Sequence, residues 1–150
     1  MKVIVQRVKK ANCVVNNEVV SSVGKGYMLL VSFKHDDTYA QVEKMAKKVA
    51  NLRIFEDENQ KLNHSIIDVN GEILSISQFT LYANPYTGNR PSFTDCMYHK
   101  VAIHLYERFN EILNQEYKIK TLPGVFGEDM ELNVQCDGPV TITLEYTEGR

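Results

Sequence analysis

Val140, Ile142, Leu144 and Tyr146 alternate with Thr141, Thr143 and Glu145, which predicts a strand with one covered face and one wet face. Much of the chain reads as β in the same way. Lys2 to Val8 is rich in β-branched residues. Cys13-Val14-Val15 leads into Asn16-Asn17, a pair suited to a tight hairpin, and Glu18 to Val23 returns from it. After Gly24-Lys25-Gly26, the segment Tyr27 to Phe33 is almost unbroken apolar sequence, as expected of a strand covered on both faces. Further strands are predicted at Leu52-Arg53-Ile54-Phe55, Ile73 to Gln78, Lys118 to Thr121 and Met130 to Val134, the last pairing with Val140 to Tyr146. The polar stretch Asp57 to Lys61 reads as a turn.

Two stretches switch to a helical period. Asp36-Asp37 offers carboxylates to the free N–H groups of a helix start, and Val42, Met45, Ala46 and Val49 follow on one face with lysines mostly opposite. A second helix is predicted from near Thr94 or Asp95, with Val101, Leu105, Phe109 and Ile112 on its apolar face. The order is β-β-β-α-β-β-α-β-β-β. The expected class is α/β, with mixed β-sheets in layers, two main helices, and a second layer made by the extra strands; residues 1–150 are expected to form one domain. Strand and helix do not alternate regularly and no Gly-rich loop follows an early strand, which excludes a doubly wound nucleotide fold.

Composition narrows the setting. At 150 residues the chain can bury a core without disulfides or metal. Cys13, Cys96 and Cys136 are odd in number and form no CxxC pair, which points to a reducing compartment. The apolar run Val3-Ile4-Val5 is too short for a signal peptide and no stretch reaches membrane-spanning length, so a cytoplasmic protein is expected. A net charge of −2 disfavours a non-specific polyanion binder. Lys9-Lys10 and Lys44, Lys47 and Lys48 read as solvated faces, and any RNA contact should be local and end-specific.

Common catalytic sets are missing from the pattern. His35, His64, His99 and His104 are the only histidines, and His99 and His104, five apart, do not share a helix face. There is no HExxH, CxxC or GxSxG, so neither a transition metal nor a Ser-His-Asp set is expected. Cys96 and His99 are close enough to touch on a helix, although a small buried thiol beside a surface histidine is the plainer reading.

Two segments remain. Ser77-Gln78-Phe79-Thr80-Leu81 lies where a strand runs out into a loop. It either caps hydrogen bonds or turns main-chain N–H groups into a cleft, where they would stabilise the oxyanion of an ester under attack. Thr80 is a weak candidate nucleophile because no base is placed to activate it, and Ser77 and Gln78 suit ribose hydroxyls. Asp137-Gly138-Pro139-Val140-Thr141 carries an X-Pro bond, a type that is trans in most folded proteins. It is either a plain turn before an edge strand or a rigid pair whose two carbonyls face one way, holding an amine and crowding one configuration of a chiral carbon.

These segments, with Gln6-Arg7-Val8, Leu52 to Phe55, Gly88-Asn89-Arg90-Pro91-Ser92-Phe93, and Gly124-Val125-Phe126-Gly127 with Met130, resemble the D-aminoacyl-tRNA deacylase family along essentially the whole chain. The resemblance implies a cofactor-free homodimer with active sites at the subunit interface. Gly138-Pro139 of one subunit would be cis, would face the Ser77-Gln78-Phe79-Thr80 element of the other, and would reject L-aminoacyl groups. Arg7 would hold that dipeptide, and Phe126 and Met130 would contact substrate. The substrate implied is the ester between a D-amino acid, or glycine, and the 3′-terminal adenosine of tRNA, cleaved with help from the RNA's own 2′-hydroxyl. Cys136 stands where the family usually has Asn, and Ser32 where Gly is frequent; the second change is expected to alter packing more than chemistry. The alternatives are a non-catalytic dimeric module binding RNA 3′ ends and a hydrolase with Thr80 or Cys136 as covalent nucleophile.

Overall fold

The computed structural model describes residues 1–147. In chain order it comprises β1 (Lys2–Val15), β2 (Glu18–Val23), β3 (Gly26–Ser32), α1 (Tyr39–Asn51), β4 (Phe55–Glu56), β5 (Leu62–His64), β6 (Glu72–Ser77), a 3-10 turn at Phe79–Tyr82, α2 (His99–Gln115), β7 (Thr121–Pro123) and β8 (Glu131–Glu145). The class is the expected mixed α/β with two helices. Six strands form one mixed sheet in the order β2-β1-β3-β6-β7, with β8 paired to β1, and β4 and β5 make a separate ribbon.

β1 and β2 form the hairpin, with Asn16 and Asn17 both at positive φ (51 and 63) as a primed turn requires. β3 lies between β1 (antiparallel) and β6 (parallel) and is buried on both faces. The expected second layer is not a separate stack of strands. The sheet curls so that β2 returns toward β6 and β7, where Ser21 Oγ donates to Pro123 O at 2.5 Å and Gly24 N to Glu72 Oε1 at 2.8 Å.

Two cores result. Val3 and Val5 of β1 and Tyr27, Leu29 and Val31 of β3 face Val42, Met45 and Val49 of α1 and Leu105, Phe109 and Ile112 of α2. On the other face Val8, Cys13, Met28, Leu74 and Ile76 pack inside the curl. Burying each large side chain is worth roughly 1.5–3 kcal/mol. That packing holds α2, whose first turn has no side-chain cap.

The structure corrects several local expectations. α1 starts after Thr38, which forms a capping box with Gln41, and not at Asp36-Asp37. The Asp37 carboxylate is engaged elsewhere, by the Met1 ammonium at 2.5 Å and by Lys34 N at 2.7 Å. α2 starts at His99, not near Thr94, and Val101 is 48% exposed while Ala102 and Tyr106 join the buried stripe. Leu52 to Ile54 are not strand, and the extended segment predicted from Lys118 begins at Thr121, Lys118 itself being at positive φ.

The largest correction concerns the two final strands, which were expected to pair with each other. They are one strand, β8, and both halves pair with β1 from Lys2↔Glu145 to Val14↔Glu131. Asp137-Gly138-Pro139 does not reverse the chain. It bulges out, since the step from Gln6 to Val8 on β1 answers Thr141 to Cys136 on β8. The alternation read from Val140 to Tyr146 stands, with Val140, Ile142, Leu144 and Tyr146 half-buried against the helix-side core.

Candidate active site

β3 and β6 run parallel and end together, and a cleft of about 630 Å³ opens at their C-terminal ends. That volume suits a small ligand or the end of a larger one. Val31, Ser32 and Phe33 line it from β3, and Ser77, Gln78 and Phe79 from the end of β6. Cys96 to His99 close one side, and Phe126 to Met130, between β7 and β8, close the other.

The sequence-predicted residues divide into two groups. Ser77, Gln78, Phe79, Phe126 and Met130 share the cleft. Gln78 N–H is committed to Val31 O at 2.7 Å, so it is not free to meet a ligand. The next two N–H groups, of Phe79 and Thr80, open the 3-10 turn and have no acceptor among the described residues, as the first donors of a helical turn do not. Phe79 is 54% exposed, and its ring meets the Phe93 ring edge-on at 5.3 Å. Thr80 lies outside the cleft lining, and its Oγ1 accepts from Gln78 Nε2 at 2.5 Å. Phe126 is braced by Tyr106, with ring centroids 5.8 Å apart, and Tyr106 OH donates to Ser75 O at 2.6 Å.

Arg7, Gly138 and Pro139 form the second group, away from the cleft of their own chain. The Gly138-Pro139 peptide is cis, both residues are exposed, and Gly138 has φ 119, a region L side chains avoid. Arg7 is 4% exposed and anchors the base of this bulge. Its Nη1 donates to Ile54 O at 2.7 Å and its Nε to Asp137 O at 3.2 Å, with the Asp137 carboxylate at 3.4 Å and that of Glu56 at 3.6 Å. Cys136 is exposed, paired in register with Val8.

Sequence reasoning missed the roles of Ser32 and Cys96. Ser32, expected to affect packing, donates from Oγ to Phe79 O at 3.2 Å, and Cys96 Sγ reaches the same oxygen at 3.3 Å. Burial, then Asp95, pushes the Cys96 thiol up from its ordinary value, so the sulfur keeps its proton. Cys96 and His99 are not on one helix, because α2 begins at His99, though both line the cleft. Among the described residues no three His, Cys, Asp or Glu side chains gather as a metal site.

A family model described as D-Tyr-tRNA(Tyr) deacylase matches residues 4–145. The chain belongs to this family. It is 49% identical over 146 residues to a D-aminoacyl-tRNA deacylase of Lactobacillus gasseri, covering 97% of this chain and 99% of that one. It is 51% identical over 150 residues to the protein of the same name from Staphylococcus carnosus, covering 100% and 99%. Among solved structures, one titled c-Myc DNA Unwinding Element Binding Protein superposes with a TM-score of 0.93 at 40% identity, covering 98% and 99% of the two chains. A probable eukaryotic D-amino acid tRNA deacylase shares the fold, with a TM-score of 0.83 at 18% identity and coverage of 95% and 97%. Membership gives the cleft a context, because enzymes of a deacylase family are hydrolases, and a hydrolase needs donors at the position where negative charge develops.

Proposed function

We propose that this family member hydrolyses the ester between a D-amino acid, or glycine, and the 3′-terminal adenosine of tRNA. The observation that carries the reading is a pair of consecutive acceptor-free N–H groups, that of Phe79, which lines the cleft, and that of Thr80, the next residue along, in a chain of this family. Donors fixed in the main chain need no reorganisation as the ester carbonyl becomes an oxyanion, and loss of one such donor costs enzymes about 10²–10³ in rate. Ser77 and Gln78 border the same space and suit ribose hydroxyls. The terminal 2′-hydroxyl of the RNA assists the attack, and no cofactor is called for.

Gly138-Pro139 acts as the chiral filter from a second copy of the chain. Within one chain the dipeptide lies apart from the cleft, exposed on a bulge that Arg7 holds. A homodimer that lays this bulge across the partner's cleft completes the site. Rigid main chain then excludes an L side chain by bulk, while the D isomer turns its side chain away. Among the described residues no helix is long and apolar enough to cross a membrane, and a tRNA substrate fits the cytoplasmic location expected from the sequence.

The test is incubation of the purified protein with D-Tyr-tRNA and L-Tyr-tRNA. Hydrolysis of the D ester alone is expected. Binding without turnover would favour a recognition module, and equal turnover of both esters would remove the filter.

A further inference from the structure

The peptide linking Phe79 to Thr80 is held at its carbonyl end by two side chains that border the cleft. Its carbonyl oxygen receives Ser32 Oγ at 3.2 Å and Cys96 Sγ at 3.3 Å, from two segments far apart in sequence. Both donors are well anchored. Ser32 is 1% exposed at the end of β3. The Cys96 segment is fastened to the chain leaving β3 by His35 N to Asp95 O and Met97 N to Phe33 O, each at 3.1 Å. On the other side, Gln78 N to Val31 O ties the residue preceding Phe79 to β3.

A peptide group is a single dipole. Donors on its oxygen fix its plane and draw charge toward that oxygen, which strengthens the N–H at the opposite end. Here that N–H belongs to Thr80, and it has no acceptor among the described residues. We infer that Ser32 and Cys96 are positioning residues that aim and polarise the Phe79–Thr80 peptide, making the Thr80 N–H the principal oxyanion donor. The catalytic half of this inference rests on the deacylase reading; the clasp itself does not. Both residues border the cleft, but in this role they act through the peptide and not on the substrate, so their effect falls on the chemical step and leaves ground-state binding almost unchanged.

The experiment compares Ser32→Ala, Cys96→Ala and Cys96→Ser with the wild-type protein in two measurements. In single-turnover hydrolysis of D-Tyr-tRNA, Ser32→Ala should lower the rate about five- to ten-fold and Cys96→Ala about three-fold, with KM within about two-fold of wild type. Cys96→Ser, which keeps a donor, should restore most of the rate. In substrate-free protein, the ¹³C resonance of the Phe79 carbonyl and the amide proton resonance of Thr80 should both move upfield in the two alanine variants. Unmoved resonances overturn the clasp whatever the activity. Moved resonances with a wild-type rate, or a loss confined to KM, overturn the link to catalysis. A wild-type protein that leaves D-Tyr-tRNA intact overturns the deacylase reading and the catalytic half of the inference, while the carbonyl resonance still decides whether the clasp exists.

Discussion

Replacing Arg7 by Met keeps most of the buried stem and removes the guanidinium that ties the β8 bulge to the protein. The cost follows from its partners. Nη1 to Ile54 O at 2.7 Å and Nε to Asp137 O at 3.2 Å are worth about 1–1.5 kcal/mol each, and more where the abandoned carbonyl is buried. The ion pairs add little, because the Asp137 side chain is 32% and the Glu56 side chain 50% exposed, so together they supply less than about 1 kcal/mol. The sum is about 3 kcal/mol, which for a chain of this size lowers the melting temperature by about 6–12 °C. Circular dichroism melts measure this directly, with Glu56→Gln as the control that should shift the midpoint by less than about 2 °C. The functional consequence is separate. A bulge released from Arg7 no longer holds its carbonyls in place, so the ratio of D-Tyr-tRNA to L-Tyr-tRNA hydrolysis should fall together with the overall rate. An Arg7→Met protein that melts within about 3 °C of wild type and keeps its D/L ratio would refute the role given to this side chain.

Other perturbations probe other parts of the structure. Gly26→Ala would put a Cβ 1.8 Å from Glu72 O at a backbone φ of +155, at the first pair of the β3–β6 ladder; a loss of about 3–5 kcal/mol is expected in urea denaturation, and an unchanged midpoint would contradict the register. The Gly24 N–H, together with Lys120, holds the Glu72 carboxyl below its ordinary 4.5. A depressed folded-state value means that Glu72 stabilises the fold above the unfolded value and loses that contribution as pH falls through the folded one. The stability gap between wild type and Glu72→Gln should therefore be constant near neutrality and close in acid, and a gap independent of pH would refute the assignment. Cys136→Ala removes an exposed side chain and should leave stability within about 0.5 kcal/mol and turnover unchanged. Thr80→Ala should also keep turnover within about ten-fold, because the residue acts through its main chain; loss of activity in either variant would restore a covalent mechanism.

Sequence periodicity was sufficient wherever a residue's neighbours decide its environment. Asn16-Asn17 read as a hairpin turn because few residues tolerate positive φ, and Tyr27 to Phe33 read as a doubly covered strand because every position but Ser32 is apolar. The buried faces of both helices followed from their spacing, apart from Val101 at the edge of its stripe. Helix starts were less legible. Asp37 has the composition of a cap, yet the Met1 ammonium, at the start of β1 beside the end of β3, claims its carboxylate and leaves Thr38 to cap α1.

The site divides in the same way. Ser77, Gln78 and Phe79 were legible as a unit because they are consecutive at a strand end, and Phe126 and Met130 were named through resemblance to a family. Ser32 and Cys96 gave no such signal, since their importance lies in reaching one carbonyl oxygen across long stretches of chain. The last strand shows the limit most clearly. Asp137-Gly138-Pro139 carries the local chemistry of a turn between two paired strands, yet β1 is long enough to bond both halves of β8, and so the segment became a bulge in one strand. Steric preference and apolar spacing act over a few residues and determined the elements; which backbone each edge meets is a competition among distant partners, and only the folded chain decides it.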